Sequence, residues 1–326
     1  PPYSNYVWSN GLSGNSLTTI NNLVAGSYSV NIYDATGCAQ DFVFQVIEPT
    51  IISPTISVTN YNGYNISCFS YNDGAIDLNV TGGTPGLLPN PAYSYQWNTG
   101  EMTEDIGGLP IGTYSVMITD ANSCSTSTSI SLIEPTLLQT SIIPQNNYNG
   151  YDISCNGYSD GGIDLTVSGS VPNYSFSWSN GQTTEDISGL IAGTYSVDIT
   201  DANACTTSTS IILNEPSPLQ TIIGPSITYN GYAISCNGYS NGGVDLTVSG
   251  SVPGYSYLWN NNDITEDISG VPAGNYNVLV TDANSCVTAA SIILDEPTPL
   301  QTNIIAATNY NGYDISCTGY SDGGID

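Results

Sequence analysis

Apolar and polar residues alternate along most of this chain. Between residues 136 and 216, Ile163, Leu165 and Val167 are separated by Asp164 and Thr166. Tyr174, Phe176 and Trp178 alternate with serines and asparagine nearby, and Tyr195, Val197 and Ile199 follow the same rhythm. A period of two sends successive side chains to opposite faces, so each run predicts a strand with one buried face. Turn residues punctuate the runs: Asn156-Gly-Tyr-Ser-Asp-Gly-Gly162, Ser179-Asn-Gly181 and Asp201-Ala-Asn203. The pattern predicts strands over residues 138–143, 163–167, 174–178, 185–190, 194–200 and 206–213. A further extended stretch, Tyr151–Cys155, is expected to continue the first strand after a Tyr-Asn-Gly-Tyr loop. Seven short strands in about 80 residues predict an immunoglobulin-like β-sandwich. Trp178 would be its buried tryptophan. Leu190-Ile-Ala-Gly-Thr-Tyr195 reads as a tyrosine corner, and the pattern returns at Leu109–Tyr114 and Leu23–Tyr28.

The same blocks recur. Asp152-Ile-Ser-Cys-Asn-Gly-Tyr-Ser-Asp returns at Ala233 and at Asp314 with few changes, and Cys155, Cys236 and Cys317 stand 81 residues apart. Cys124, Cys205 and Cys286 keep the same spacing, and units close on Glu48-Pro49, Glu134-Pro135, Glu215-Pro216 and Glu296-Pro297. The expected organisation is therefore the end of one repeat at 1–50, complete repeats at 51–135, 136–216 and 217–297, and the start of another at 298–326. The unit at 51–135 is longer through the insert Gly86-Leu-Leu-Pro-Asn-Pro91. Short links between units predict tandem sandwiches forming an elongated, fairly stiff rod. Starting and stopping inside a repeat suggests a segment of something longer.

Composition narrows the function. The chain has 28 acidic residues and no Lys, Arg or His, for a net charge of −28. Nothing here can neutralise phosphates, which argues against nucleic acid, and anionic membrane surfaces would repel the chain. General-base and cationic clamp chemistry lacks its usual parts, so an enzyme is not expected. No apolar run reaches a membrane span, and no signal peptide is read.

The composite motif is Ser-Cys-Asn-Gly-x-Ser-Asp-Gly-Gly-Ile-Asp-Leu-Thr-Val-Ser-Gly, then Tyr-Ser-x-x-Trp-Ser-Asn-Gly-Gln-Thr-Thr-Glu-Asp-Ile. Ala-Gly-Thr-Tyr-Ser-Val-x-Ile-Thr-Asp-Ala-Asn-x-Cys and a closing Glu-Pro complete it. It resembles the SprB repeats of giant Bacteroidota surface adhesins, over essentially the whole chain. The resemblance implies type IX secretion, a location at the outer-membrane surface or outside the cell, and filaments used in adhesion and gliding motility.

Eight cysteines in an exported protein are expected to form disulfides. Three regular pairings exist: within a unit (Cys155–Cys205), nearest in sequence (Cys124–Cys155), or between each unit and the next (Cys68–Cys205 and Cys155–Cys286). The turn after Cys155 and the turn before Cys205 fall at opposite poles of an immunoglobulin-type sandwich. A strand is ~20 Å long, whereas bridged Cα atoms lie within ~7 Å. That favours the inter-repeat staple over the intra-repeat bond.

Carboxylates also recur in register. Asp160, Asp164 and Glu215 of one unit would approach Asp282 of the next, a set of hard oxygen ligands suited to Ca²⁺. The competing reading has these residues capping turns or facing solvent. Glu185 and Asp186, adjacent on a strand, point to opposite faces and cannot share a substrate. Tyr148 and Tyr151, with their equivalents Tyr61/Tyr64, Tyr229/Tyr232 and Tyr310/Tyr313, offer either an aromatic surface for glycans and neighbouring filaments or packing at the joint. The expected function is an adhesin stalk. A laterally assembling fibre or surface layer and a glycan-binding repeat module are the alternatives.

Overall fold

In the computed structural model the described residues are 3–85 and 93–326. The insert at 86–91 lies outside them. Among the described residues every regular element is a strand, and all named pairings are antiparallel.

The opening fragment contains β1 (Tyr3–Trp8), β2 (Ser13–Gly14), β3 (Gly26–Asp34) and β4 (Ala39–Val46), ordered β2-β1-β3-β4 in one sheet. The repeat at 51–135 supplies β5 (Ser53–Val58), β6 (Gly74–Thr81), β7 (Tyr93–Trp97), β8 (Ile106–Leu109), β9 (Gly112–Asp120) and β10 (Ser125–Leu132). These form two three-stranded sheets, β5-β6-β8 and β10-β9-β7. The repeat at 136–216 supplies β11 (Gln139–Pro144), β12 (Gly161–Ser168), β13 (Ser175–Trp178), β14 (Ile187–Leu190), β15 (Gly193–Thr200) and β16 (Thr206–Leu213). The repeat at 217–297 supplies β17 (Gln220–Pro225), β18 (Gly242–Ser249), β19 (Ser256–Trp259), β20 (Ile268–Val271), β21 (Gly274–Thr281) and β22 (Val287–Leu294). Each again makes two sheets, β11-β12-β14 with β13-β15-β16, and β17-β18-β20 with β19-β21-β22. The chain is thus a tandem series of immunoglobulin-like sandwiches.

Two compact units can be separated. One comprises Pro1–Leu138, Gly169–Tyr174 and Asp201–Cys205; the other comprises Gln139–Ser168, Ser175–Thr200 and Thr206–Asp326. All strands of β1–β10 lie in the first and all of β11–β22 in the second. Two turn segments of the repeat at 136–216 therefore belong to the first unit.

The alternation works as expected for sandwich strands. In β15 Tyr195, Val197 and Ile199 are buried while Ser196 and Asp198 are exposed. Ile66, Ile76, Leu78, Trp97, Val116, Ile118 and Leu132 form the core of the repeat at 51–135. Val244, Leu246, Trp259, Val278, Val280 and Leu294 do so at 217–297. Burying each such side chain contributes roughly 1.5–3 kcal/mol. Trp178 is buried and its indole N–H donates to the Thr184 carbonyl at 2.9 Å. Tyr195 donates its hydroxyl to Ile191 O at 2.9 Å, as Tyr114 does to Pro110 O and Tyr276 to Pro272 O. These are tyrosine corners.

One expected element is absent. Tyr151 closes an isolated bridge with Tyr148 and residues 152–155 are a string of bends, so among the described residues each complete repeat has six strands rather than seven. The amides explain it. Asp152 and Ile153 both donate to the single carbonyl of Asn214, at 3.0 and 3.2 Å, and Ser154 N donates to Asp160 Oδ1 at 3.1 Å. Successive amides sharing one acceptor cannot build a ladder. Ile153, Ser154 and Cys155 are all buried, so the apolar alternation of the sequence does not mark one buried face here.

Candidate functional site: the joint between repeats

Each joint is assembled from two loops. The first is the Tyr-Asn-Gly-Tyr loop. Tyr148 and Tyr151 exchange backbone hydrogen bonds of 2.7 and 3.1 Å, and Asn149 and Gly150 sit at φ 51° and 96°. Two positive φ angles inside so tight a bridge are the geometry of a type I′ turn, which Asn-Gly adopts readily. The chain then bends through Ile153-Ser154-Cys155 into a turn closed by Tyr158 N donating to Cys155 O at 3.0 Å.

Glu215, from the closing Glu-Pro of the same repeat, accepts from Gly157 N at 2.6 Å and from Asn156 Nδ2 at 2.8 Å. Glu296 repeats this on Gly238 and Asn237. Asp160 holds the Ser154 amide; where Asn241 replaces it, Asn241 accepts from Ser235 N at 3.2 Å and donates to Ser235 Oγ at 2.6 Å.

The second loop is the Asp-Ala-Asn-x-Cys turn between the last two strands. Asp201 is buried, and its carboxylate organises the turn. Oδ1 accepts from Asn203 N at 2.9 Å and Cys205 N at 2.8 Å; Oδ2 accepts from Ser170 Oγ at 2.5 Å and Val171 N at 3.1 Å. Burial pushes the Asp201 pKa up, but the Ser170 hydroxyl and the Cys205, Val171 and Asn203 amides outweigh it and hold the group below its ordinary value. Asp282 is held down in the same way by Ser251, Val252, Cys286 and Asn284 against its own burial. In the repeat at 51–135 the Thr84 amide is the largest influence lowering Asp120.

The two loops meet through sulfur and through asparagine. Cys68 is bonded to Cys205 with a Cα–Cα distance of 5.7 Å, and Cys155 to Cys286 with 5.6 Å. Cys38, Cys124, Cys236 and Cys317 are unbonded and exposed. Beside the first disulfide, Asn203 Nδ2 donates to Tyr61 O at 3.2 Å and to Ser67 O at 2.9 Å, while its Oδ1 accepts from Asn62 Nδ2 at 2.6 Å. Beside the second, Asn284 Nδ2 donates to Tyr148 O at 3.2 Å and Ser154 O at 2.9 Å, and Oδ1 accepts from Asn149 Nδ2 at 2.7 Å. Each joint lies wholly inside one of the two units.

These asparagines are the part of the site that pattern reading passed over. Their signal was present: Asn122, Asn203 and Asn284 each stand two residues before a cysteine, and Asn62, Asn149, Asn230 and Asn311 each precede the loop glycine.

The four carboxylates expected to share Ca²⁺ are not brought together. Among the described residues no three His, Cys, Asp or Glu converge on a metal-binding position. Asp282 accepts from Ser251, Val252, Asn284 and Cys286. Glu215 caps the turn after Cys155, Asp160 accepts from the Ser154 amide before it, and Asp164 faces out of β12 opposite Ile143. Of the paired tyrosines, Tyr61, Tyr64, Tyr148 and Tyr151 are half-buried, whereas Tyr310 and Tyr313 are exposed.

The SprB repeat family profile matches residues 55–102, 149–183 and 234–264. No curated protein matches the chain. Among solved structures, it is similar to a tetra-tandem repeat in the extending region of a large adhesion protein. The identity there is 15%, covering 91% of this chain and 93% of that one, with a TM-score of 0.28. The N-terminal eight immunoglobulin domains of Down Syndrome Cell Adhesion Molecule isoform 1.30.30 match at 10% identity over 91% of this chain and 57% of that one, with a TM-score of 0.33. Extracellular cadherin domains 3–6 of Protocadherin Gamma B2 match at 12% identity over 82% of each chain, with a TM-score of 0.25.

Proposed function

We propose that the chain is a stalk segment of an extracellular surface adhesin, giving reach and stiffness and doing no chemistry; the match of three of its segments to the SprB repeat supports this reading. The observation that carries this reading is the joint. Its disulfide and asparagine contacts recur with the same atoms at both complete joints, so the conserved investment between copies is in connecting them. A stalk needs that; a receptor module would vary its loops. The acidic, cation-free surface keeps such repeats solvated and mutually repelling, which favours a single filament over lateral assembly. Attachment of cells to surfaces follows from the family, and gliding motility and type IX export are the finer expectations that accompany it. Surfaces or glycans would be the distal partners. No helix among the described residues is long and apolar enough to cross a membrane.

Deleting residues 136–216 in frame from the native gene tests the proposal. A stalk with one repeat fewer still reaches the cell surface, and cells still attach with unchanged strength per contact. Loss of attachment on removing this one repeat would overturn the stalk reading in favour of a ligand-binding module. Concentration-dependent sedimentation of the chain would instead favour a self-assembling fibre.

A further inference from the structure

We infer that Asn203 and Asn284 dock each repeat onto its predecessor before sulfur chemistry begins, and thereby select which cysteines oxidise. Selection is needed. Eight cysteines permit 105 complete pairings, and the observed bonds close sequence separations of 137 and 131 residues. Cys124 lies only about 30 residues from Cys155. In an unfolded chain, loop-closure statistics favour that short bridge about ninefold over the observed one. Chain entropy therefore directs the cysteines to their neighbours, and a native contact must override it.

The asparagine pincer is placed to do so. Asn284 is two residues before Cys286. It grips the carbonyl of Ser154, the residue before Cys155, and the carbonyl of Tyr148 at the base of the loop. Asn149 closes the grip from the opposite side. All three contacts are available to the reduced protein, since none involves sulfur. Once they are made, the two cysteines are aligned: the Cys286 sulfur sits 3.3 Å from the Ser154 carbonyl oxygen. The joint at Asn203, Ser67 and Tyr61 has the same arrangement, with its own sulfur-to-carbonyl distance of 3.3 Å. Asp282 and Asp201 set the turns that present the asparagines, by accepting the Asn284 and Asn203 amides.

Oxidation then follows by exchange with a small disulfide such as oxidised glutathione. The Cys286 thiolate attacks it, forming a mixed disulfide and releasing one glutathione. The Cys155 thiolate attacks the Cys286 sulfur, forming the staple and releasing the second. Two electrons pass to the oxidant, and the two thiol protons end on the two glutathione molecules.

The test is refolding of the reduced full chain in a glutathione redox buffer, with disulfides mapped by non-reducing digestion at Glu. Wild type should yield Cys68–Cys205 and Cys155–Cys286. Asn284→Ala should lower the equilibrium constant for the Cys155–Cys286 bond against glutathione by about tenfold or more, with mispaired Cys155 appearing, since several net hydrogen bonds are lost. Cys68–Cys205 should be unaffected, and Asn122→Ala should change neither bond. Asn149→Asp attacks the joint from the preceding repeat: it removes the Nδ2 donor while keeping a residue that tolerates the φ of 51°, and it leaves the turn of Asn284 intact, so a weakened staple there is not owed to a strained loop. Unchanged pairing and unchanged equilibrium constant in both Asn284→Ala and Asn149→Asp would overturn the inference.

Discussion

Replacing Asp201 by Ala should open the turn that carries Asn203 and Cys205. The carboxylate is 6% exposed and receives four hydrogen bonds, from Ser170, Val171, Asn203 and Cys205. Three of those donors are backbone amides with no other partner for that proton. Bonds to a charged acceptor contribute about 1.5–3 kcal/mol net, and each stranded buried amide costs about 1–3 kcal/mol. Water entering the space left by the side chain recovers part of this, so the expected local loss is about 3–5 kcal/mol, or roughly a hundredfold to a few thousandfold in the opening equilibrium.

Hydrogen exchange read by mass spectrometry measures it directly: peptides covering 201–213 should lose protection by that factor, while those covering β21 and β22 serve as the internal reference. The pH dependence supplies a second check. The folded pKa of Asp201 is depressed, so its contribution is present above the unfolded value near ~3.9 and fades as pH falls through the folded value. Asp201→Asn should remove this part of the acid sensitivity. A loss of protection below about tenfold in Asp201→Ala would refute the reasoning, because a carboxylate capping three amides cannot be that dispensable.

Other expectations are more local. Gly169→Ala should destabilise its turn severely, since φ is +81° and an added Cβ would lie 2.1 Å from the Leu137 carbonyl oxygen; soluble expression and hydrogen exchange of the 136–216 repeat report it. Tyr195→Phe loses only the bond to Ile191 O and should cost about 1 kcal/mol by urea unfolding of that repeat. Chelation should leave the unfolding midpoint unchanged, because the oxygens of Asp160, Glu215 and Asp282 are already engaged; a midpoint lowered by EDTA and restored by Ca²⁺ would return the metal to the joint.

The strands and corners were readable because burial of one face imposes a period of two, and because the tyrosine that turns the chain must reach a carbonyl four residues back. Residues 151–155 misled for the same reason. Tyr151, Ile153 and Cys155 alternate in the sequence, but Ser154 between them is buried as well, and the pattern says nothing of where the amides go: those of Asp152 and Ile153 both go to Asn214. The carboxylates were ambiguous at the sequence level. A cap and a calcium ligand both require a recurring acidic oxygen, and only the nearby N–H groups distinguish them. Asn203 looked like a turn residue, and it is one. Its second task depends on carbonyls some 140 residues away, which no local pattern encodes.

The two disulfides overlap along the chain: one spans 68–205 and the other 155–286. A single backbone cut anywhere from Cys68 to Cys286 is therefore bridged at least once, and between Cys155 and Cys205 it is bridged twice. A nicked chain would remain one molecule until reduced, like overlapping shingles that stay in place when one is split. For a protein facing extracellular proteases, integrity then belongs to the covalent network and no longer to the continuity of any one peptide bond.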